Sequence, residues 1–253
     1  MLKTFHQKLL FLQSVLYITS IVGLIFYWDP IWLLLSVFGK YIFANLGLEI
    51  GYHRLLSHRS FTTSRTVENI LTFLGVYGGF GPSLTWTANH RVHHKNSDRE
   101  GDPHPASETW KTFFWLNDKV PVNPSVVRDL LRNPFHKFLR DWYFTIWYLT
   151  LIVAFIIDPR IAIYLFAIPG ATGLLSGAAI NILCHKFGYR NFETKDQSTN
   201  NWWVNLYATF GGSGWHNNHH ANPGSYTTKV KWWEWDLDGW IIEKFLMKKE
   251  SLK

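Results

Sequence analysis

Apolar residues in this chain fall into long runs rather than the narrow stripes of a water-soluble helix. Leu9 to Tyr27 reads LLFLQSVLYITSIVGLIFY, 19 residues without a charge, or roughly 28 Å as a helix. Trp28-Asp29-Pro30 ends the run, and a second stretch follows from Ile31 to Ile50, interrupted only by Lys40, Asn45 and Glu49. A third covers about Trp142 to Ile157 and a fourth Ile161 to Leu183, with Asp158-Pro159-Arg160 between them. Such short connections allow only a reversal of direction. The pattern predicts four transmembrane helices in two hairpins, residues 9–27 with 31–50 and 142–157 with 161–183. Gly173 and Gly177 in the fourth run have the spacing that lets helices pack closely in lipid. The first run is long and meets no small-residue cleavage site, so it reads as a retained span. One further apolar stretch, Val67 to Trp86, ends among Gly75, Gly78, Gly79, Gly81 and Pro82. It predicts a half-buried helix along the membrane surface rather than a fifth span.

Charge supplies the orientation. Lys3, Lys8, Arg54, Arg59, Lys137, Arg140, Lys186 and Arg190 flank one side of the spans, and only Arg160 the other. By the preference of basic residues for the cytoplasmic side, both termini and segments 51–141 and 184–253 are expected in the cytoplasm. That bias and anionic headgroups account for the net charge of +7, and no basic stripe or recognition module supports nucleic-acid binding. A 47% hydrophobic composition excludes a disordered chain. The single cysteine, Cys184, excludes a disulfide scaffold. The length fits one domain over 1–253. The expected fold class is an all-α integral membrane protein whose polar segments form a helical cytoplasmic cap.

Histidines change the picture. Three clusters stand beyond the span ends: His53 with His58, His90-Arg-Val-His93-His94, and His216-Asn-Asn-His219-His220. In the last two, positions i, i+3 and i+4 share a helix face, so their imidazoles converge. His53 and His58 are about 140° apart on an ideal helix and need a distorted one to point together. Eight neutral imidazoles exceed what one ion can hold, so the expectation is a dinuclear metal site, with zinc, copper, iron and nickel all open on ligand type. Lone His6 and His136 read as ordinary surface or core residues. A bis-histidine haem cytochrome, the non-enzymatic alternative, would place histidine pairs within facing spans. Here all twelve histidines lie at or beyond span ends.

HRLLSHRSF at 53–61, HRVHHKNSDREGDPH at 90–104, HKFGYRNFETKDQSTNNWW at 185–203, GWHNNHHANP at 214–223 and WWEWD at 232–236 resemble the integral-membrane fatty acid desaturases of the Δ9 type. The resemblance runs from about residue 45 to 245. It implies two irons with O2 as co-substrate and a cis double bond introduced into a saturated acyl chain. It also implies an external electron donor of ferredoxin or cytochrome b5 type, because the chain carries no flavin fingerprint, cytochrome domain or iron–sulfur cysteines. Carried over by position, one iron would take His53, His58, His90, His94 and His220. The other would take His93, His185, His216 and His219, with Asn181 acting through a water. Asn181 and His185 lie one helical turn apart at the end of the fourth span, which fits that reading. A di-iron hydroxylase of lipid, alkane or carotenoid shares the histidine arrangement and is the enzymatic alternative.

Other positions depart from the acyl-CoA enzymes of the family. Ala88-Asn89 stands where those carry Arg-Asp, Gly81 where they place an Asn that contacts CoA, and Ser213 where an acidic residue is common. ASETWKTFFW follows His104 without the usual Arg-Gly. These departures favour acyl chains on a lipid or carrier protein over CoA. Asp98, Asp102 and His104 are candidates to orient metal ligands. Trp202, Trp203, Trp232, Trp233 and Trp235 could line an acyl tunnel but suit an interfacial belt better. Lys40 and Glu49 are costly inside a span and point to a functional or bundle-facing role, with none assigned to Lys40.

Overall fold

A computed structural model describes residues 4–116 and 123–248. Lys3 and the portions 117–122 and 249–253 of the expected cytoplasmic segments lie outside them. Among the described residues the chain is helical, without a β-sheet. In chain order the helices are α1 (Phe5–Phe26), α2 (Pro30–Ser57), α3 (Arg65–Val76), α4 (Ser83–Asn96), α5 (Thr109–Phe113), α6 (Pro134–Ile157), α7 (Ile161–Leu183), α8 (Trp202–Tyr207), α9 (His216–Ala221) and α10 (Leu237–Ile241). Helices α1, α2, α6 and α7 are long and apolar enough to cross a membrane. They form the two expected hairpins.

Three of the four spans begin earlier than their apolar runs because capping, not hydropathy, starts a helix. Thr4 Oγ1 accepts from Gln7 N–H at 3.2 Å while Thr4 N–H donates to Gln7 Oε1 at 3.2 Å, a reciprocal cap that starts α1 at Phe5. Asn133 accepts from Phe135 N–H at 3.1 Å ahead of Pro134, so α6 opens eight residues before Trp142 with polar, basic turns. Asp29 caps α2 through Ile31 N–H at 2.9 Å and Trp32 N–H at 3.2 Å.

Within α2 the hydrogen bonding widens over Tyr41–Ser57 from four-residue to five-residue closure. At its end, His58 N–H donates to the His53 carbonyl at 3.1 Å. Residues five apart then stack on one face instead of diverging by about 140°. The His53 and His58 rings accordingly lie 4.8 Å apart. The polar residues of α2 hold the cap. Lys40 donates to the Tyr207 carbonyl and lies over its ring at 4.2 Å. Asn45 donates to the Ala208 carbonyl at 3.2 Å and accepts from Thr209 at 2.7 Å. Arg54 donates to the Gly211 and Tyr226 carbonyls, each at 2.8 Å. Lys40 thus anchors the segment that leads into the third histidine cluster.

The Val67–Trp86 stretch is not one interfacial helix. Its first part is α3, whose 12 residues reach about 18 Å, too short to span. Gly79 and Gly81 adopt left-handed φ of 80° and 101°, and this turn redirects the chain into α4, which contains Trp86. A Cβ at Gly47 would lie 2.3 Å from Gly75 N, so the two backbones touch where α3 crosses α2. Trp147 of α6 seals the end of α3 through a 2.9 Å hydrogen bond to the Val76 carbonyl. Leu12, Leu16, Phe43, Tyr143, Trp147 and Leu174 fill the bundle interior. Ile18, Ile25, Ile31, Leu34, Ile152 and Ile156 are exposed outside it, as a lipid-facing surface requires.

Candidate metal centre

Nine histidines meet where α2 and α7 end and α1 and α6 begin. The imidazoles fall into two groups whose nitrogens lie within 4.8 Å of one another: His53, His58, His90, His94 and His219, and His93, His185, His216 and His220. All nine expected residues are brought together, but His219 and His220 exchange places relative to the expected division. His219 Nε2 is 3.0 Å from both His53 Nε2 and His94 Nε2, whereas His220 Nε2 is 3.1 Å from His216 Nε2. The cause is helical geometry. Residues i and i+4 point within about 40° of each other while i+3 falls about 100° away from i+4. In each HxxHH cluster the first and last histidines therefore join one group and the middle one joins the other.

Carboxylates fix the rings from behind. Glu49 accepts from His53 Nδ1 at 2.7 Å, Asp102 from His93 Nδ1 at 2.9 Å, and Asp98 and Asp196 from His185 and His220 Nδ1, each at 2.8 Å. An ionised carboxylate can only accept, so these four imidazoles carry their proton on Nδ1 and aim a bare Nε2 lone pair inward. Burial works against ionising Asp196, yet hydrogen bonds from His220, Ser198 and Thr194 hold its carboxyl well below the usual range. Burial, reinforced by neighbouring imidazoles, pushes His90, His93, His94, His216 and His219 well below the ordinary histidine value. His220 is lowered by burial too, against the pull of Asp196. For these six, burial favours the neutral imidazole, the form that binds metal.

Donor counting tests whether metal fits. His216 Nε2 faces His185 Nε2 at 3.0 Å and His220 Nε2 at 3.1 Å. Both neighbours present lone pairs, and one N–H on His216 can satisfy only one of them. His93 Nε2 is buried without a hydrogen-bond partner. A cation at the focus of each group turns these repulsions into bonds, and the all-nitrogen donor set suits a transition metal.

Several positions were poorly marked in the sequence. Glu49 stood out only as a buried charge, and Asp196 lay unsingled within the resembling segment 185–203, where no ligand spacing points to it. Asp98 and Asp102 accept from His185 and His93 of the cluster. Asp98 does so from a left-handed backbone, φ 58°, with Gln197 N–H donating to it at 2.8 Å. His104 packs its ring 4.3 Å from His93. Asn181 is half-buried one turn before His185 and faces the cavity described next. His136 is a buried core residue, its Nδ1 2.9 Å from Ser83 Oγ and its Nε2 3.4 Å from the Glu68 carboxylate, and it belongs to neither imidazole group. His6 lines that cavity and belongs to neither imidazole group.

The cavity runs from both imidazole groups into the bundle, between α1, α2, α4 and α7. Its walls are mostly apolar, formed by Leu9, Leu10, Leu48, Phe80, Trp86, Trp115, Gly177 and Ile180, with Gln13, Asn89, Asn181 and Ser213 as polar points. Trp202, Trp203, Trp232, Trp233 and Trp235 are not among them, and all five are exposed. An apolar channel that ends on a polar metal-binding cluster can hold a hydrocarbon with one segment against the metals.

Residues 26–248 match the fatty acid desaturase family. The chain belongs to this family. An sn-1 stearoyl-lipid 9-desaturase of Anabaena variabilis is 32% identical over 223 residues, covering 81% of this chain and 77% of that protein. Delta-9 acyl-lipid desaturase 2 of Arabidopsis thaliana is 32% identical over 239 residues, covering 87% and 73%. An acyl-CoA 5-desaturase of Anemone leveillei is 30% identical over 226 residues, covering 86% and 69%. This desaturase is therefore an oxidoreductase of fatty acyl chains, and the haem cytochrome alternative falls. Helix α1 lies almost wholly before the matched stretch, although Leu9, Leu10 and Gln13 line the cavity.

Proposed function

We propose that this desaturase introduces a cis double bond, at the Δ9 position, into saturated acyl chains carried on membrane lipids. It would use two irons, O2 and electrons from an external ferredoxin or cytochrome b5-type donor. The observation that carries the reading is the mostly apolar cavity closed by two imidazole groups. His53, His58, His90, His94 and His219 would hold one iron, and His93, His185, His216 and His220 the other, with Asn181 acting through a water. Bound and reduced, the two irons supply the activation of O2 that removing hydrogen from unactivated methylenes requires. The chain's own residues do the rest. Glu49, Asp98, Asp102 and Asp196 keep each Nε2 aimed inward, and the walls from α1, α2, α4 and α7 fix which methylenes reach the metals. Two hydrogens leave the acyl chain, and O2 takes them with two external electrons and two protons to give two waters. Support for lipid-borne chains comes from the lipid desaturases among the relatives and from Gly81, whose left-handed backbone occupies the position of a CoA-contacting Asn. The bias of basic residues supports a cytoplasmic metal site and termini.

Expression in a host without Δ9 activity tests the reading. The expected result is cis monounsaturated C16 or C18 chains in the lipids, with two irons and no haem absorbance in the purified protein. Hydroxylated chains alone would move the assignment to the hydroxylases. Reporter fusions after residues 29 and 159 should read the non-cytoplasmic side, and export of a fusion at residue 248 would refute the orientation.

A further inference from the structure

Trp115 closes the cavity at a point the metal chemistry does not use. Its ring packs against Phe80, centroids 4.8 Å apart, and comes within 3.4 Å of where a Cβ on Gly177 would stand. Gly177 lies six residues before the end of α7, so Trp115 sits roughly 9 Å inside the end of that span. Its indole N–H is buried and has no acceptor, a costly state in a site of low polarity. Its backbone is left-handed, φ 56°, strain that persists only where the surroundings impose it.

Trp115 follows directly on α5, which presents two faces. Thr112 and Trp115 look into the cavity. Trp110, Phe114 and Leu116 look outward, Trp110 with 74% of its surface exposed. Lys186, three residues past the end of α7, donates to Thr109 at 2.5 Å, which ties α5 to that end of the span. A cationic side chain beside an apolar face at the end of a span suits phosphate headgroups over acyl chains.

We propose that α5 is a lateral doorway in the bilayer surface: its outer face lies in lipid, and the Trp115 N–H donates to the ester carbonyl of an acyl chain that has entered the cavity from the membrane. The doorway rests on the acyl-lipid reading given above and names its point of entry. The carbonyl contact sets the register of the chain, so the distance from Trp115 to the metals selects the methylenes that react.

Two measurements test it on the full chain reconstituted in 1-stearoyl-2-oleoyl-phosphatidylcholine vesicles. Cys184 is fully buried, so Phe114→Cys takes an NBD fluorophore at one site. Doxyl-labelled lipids should quench it and aqueous iodide should not; the reverse overturns the doorway. Trp115→Phe keeps an aromatic ring while removing the donor and part of the indole's bulk, and Phe80→Leu, which loosens the same wall but keeps the indole N–H, is the control for lost volume. Trp115→Phe should raise KM for vesicle lipid about threefold to tenfold, broaden the position of the double bond, and leave iron content unchanged. An unchanged KM and product would overturn the carbonyl contact. Turnover of stearoyl-CoA but not of vesicle lipid would overturn the doorway while leaving the desaturase reading intact. Turnover of neither by protein holding two irons would count against the desaturase reading instead, and the fluorophore depth would still decide the position of α5.

Discussion

Asp196 offers the sharpest test of how the cluster is held, because no motif spacing singled it out. Its Oδ2 lies 2.8 Å from His220 Nδ1, while Oδ1 takes Ser198 Oγ at 2.6 Å, Thr194 Oγ1 at 2.8 Å and Ser198 N–H at 3.1 Å. The carboxylate is thus fixed by three donors and orients the His220 ring with its remaining oxygen. Asp196→Asn keeps the shape but removes the charge, replacing a charge-assisted hydrogen bond worth about 1.5–3 kcal/mol by a neutral one of about 1 kcal/mol. The difference corresponds to roughly a 3- to 30-fold loss of affinity in the group containing His220. Asp196→Ala, which also frees the ring to rotate, should reach about 10–100-fold. Iron retained after dialysis against a graded chelator series, with desaturation in the expression host, reads both. Asp141→Asn, at an exposed carboxylate paired with Arg140 far from the cluster, is the control. Wild-type iron retention and activity in Asp196→Ala would refute the orienting role.

The remaining expectations follow from the same geometry. His185→Ala should abolish desaturation and lower iron content, while His136→Ala should keep both irons yet lower the melting temperature, because it empties a buried site between Ser83 and Glu68. Gly47→Ala would drive a Cβ into the α3 backbone and should cost at or above the upper end of about 1–3 kcal/mol, read as lost yield of folded protein. Burial lowers the cluster histidines below their ordinary 6.5, so the unfolded chain binds more protons than the folded one just below that pH. Iron-free protein should be fully stabilised above about 6.5 and lose stability as pH falls further, whereas a melting temperature independent of pH between 7 and 5 would contradict neutral, buried imidazoles.

How much was legible divides along a physical line. Four spans, two hairpins and two HxxHH faces could be read directly, because hydropathy over 20 residues and a turn of 3.6 residues are local properties of the chain. Thr4 and Gln7 also carried a legible helix start that the apolar run hid. That His216 and His220 share a group while His219 stands apart follows from the helix turn, but which group each joins depended on how α9 is rotated against α2 and α4, which contacts between distant segments decide. The widened turn of α2 that stacks His53 over His58 could be required by the sequence but not located. Lys40 had no partner within its own span. Its role appeared only when α8, 167 residues further on, came to rest against it. Asp196 shows the limit most plainly: a carboxylate in a polar run becomes a holder of His220 solely because the fold sets it 2.8 Å from the ring, and no spacing along the chain encodes a distance made across it.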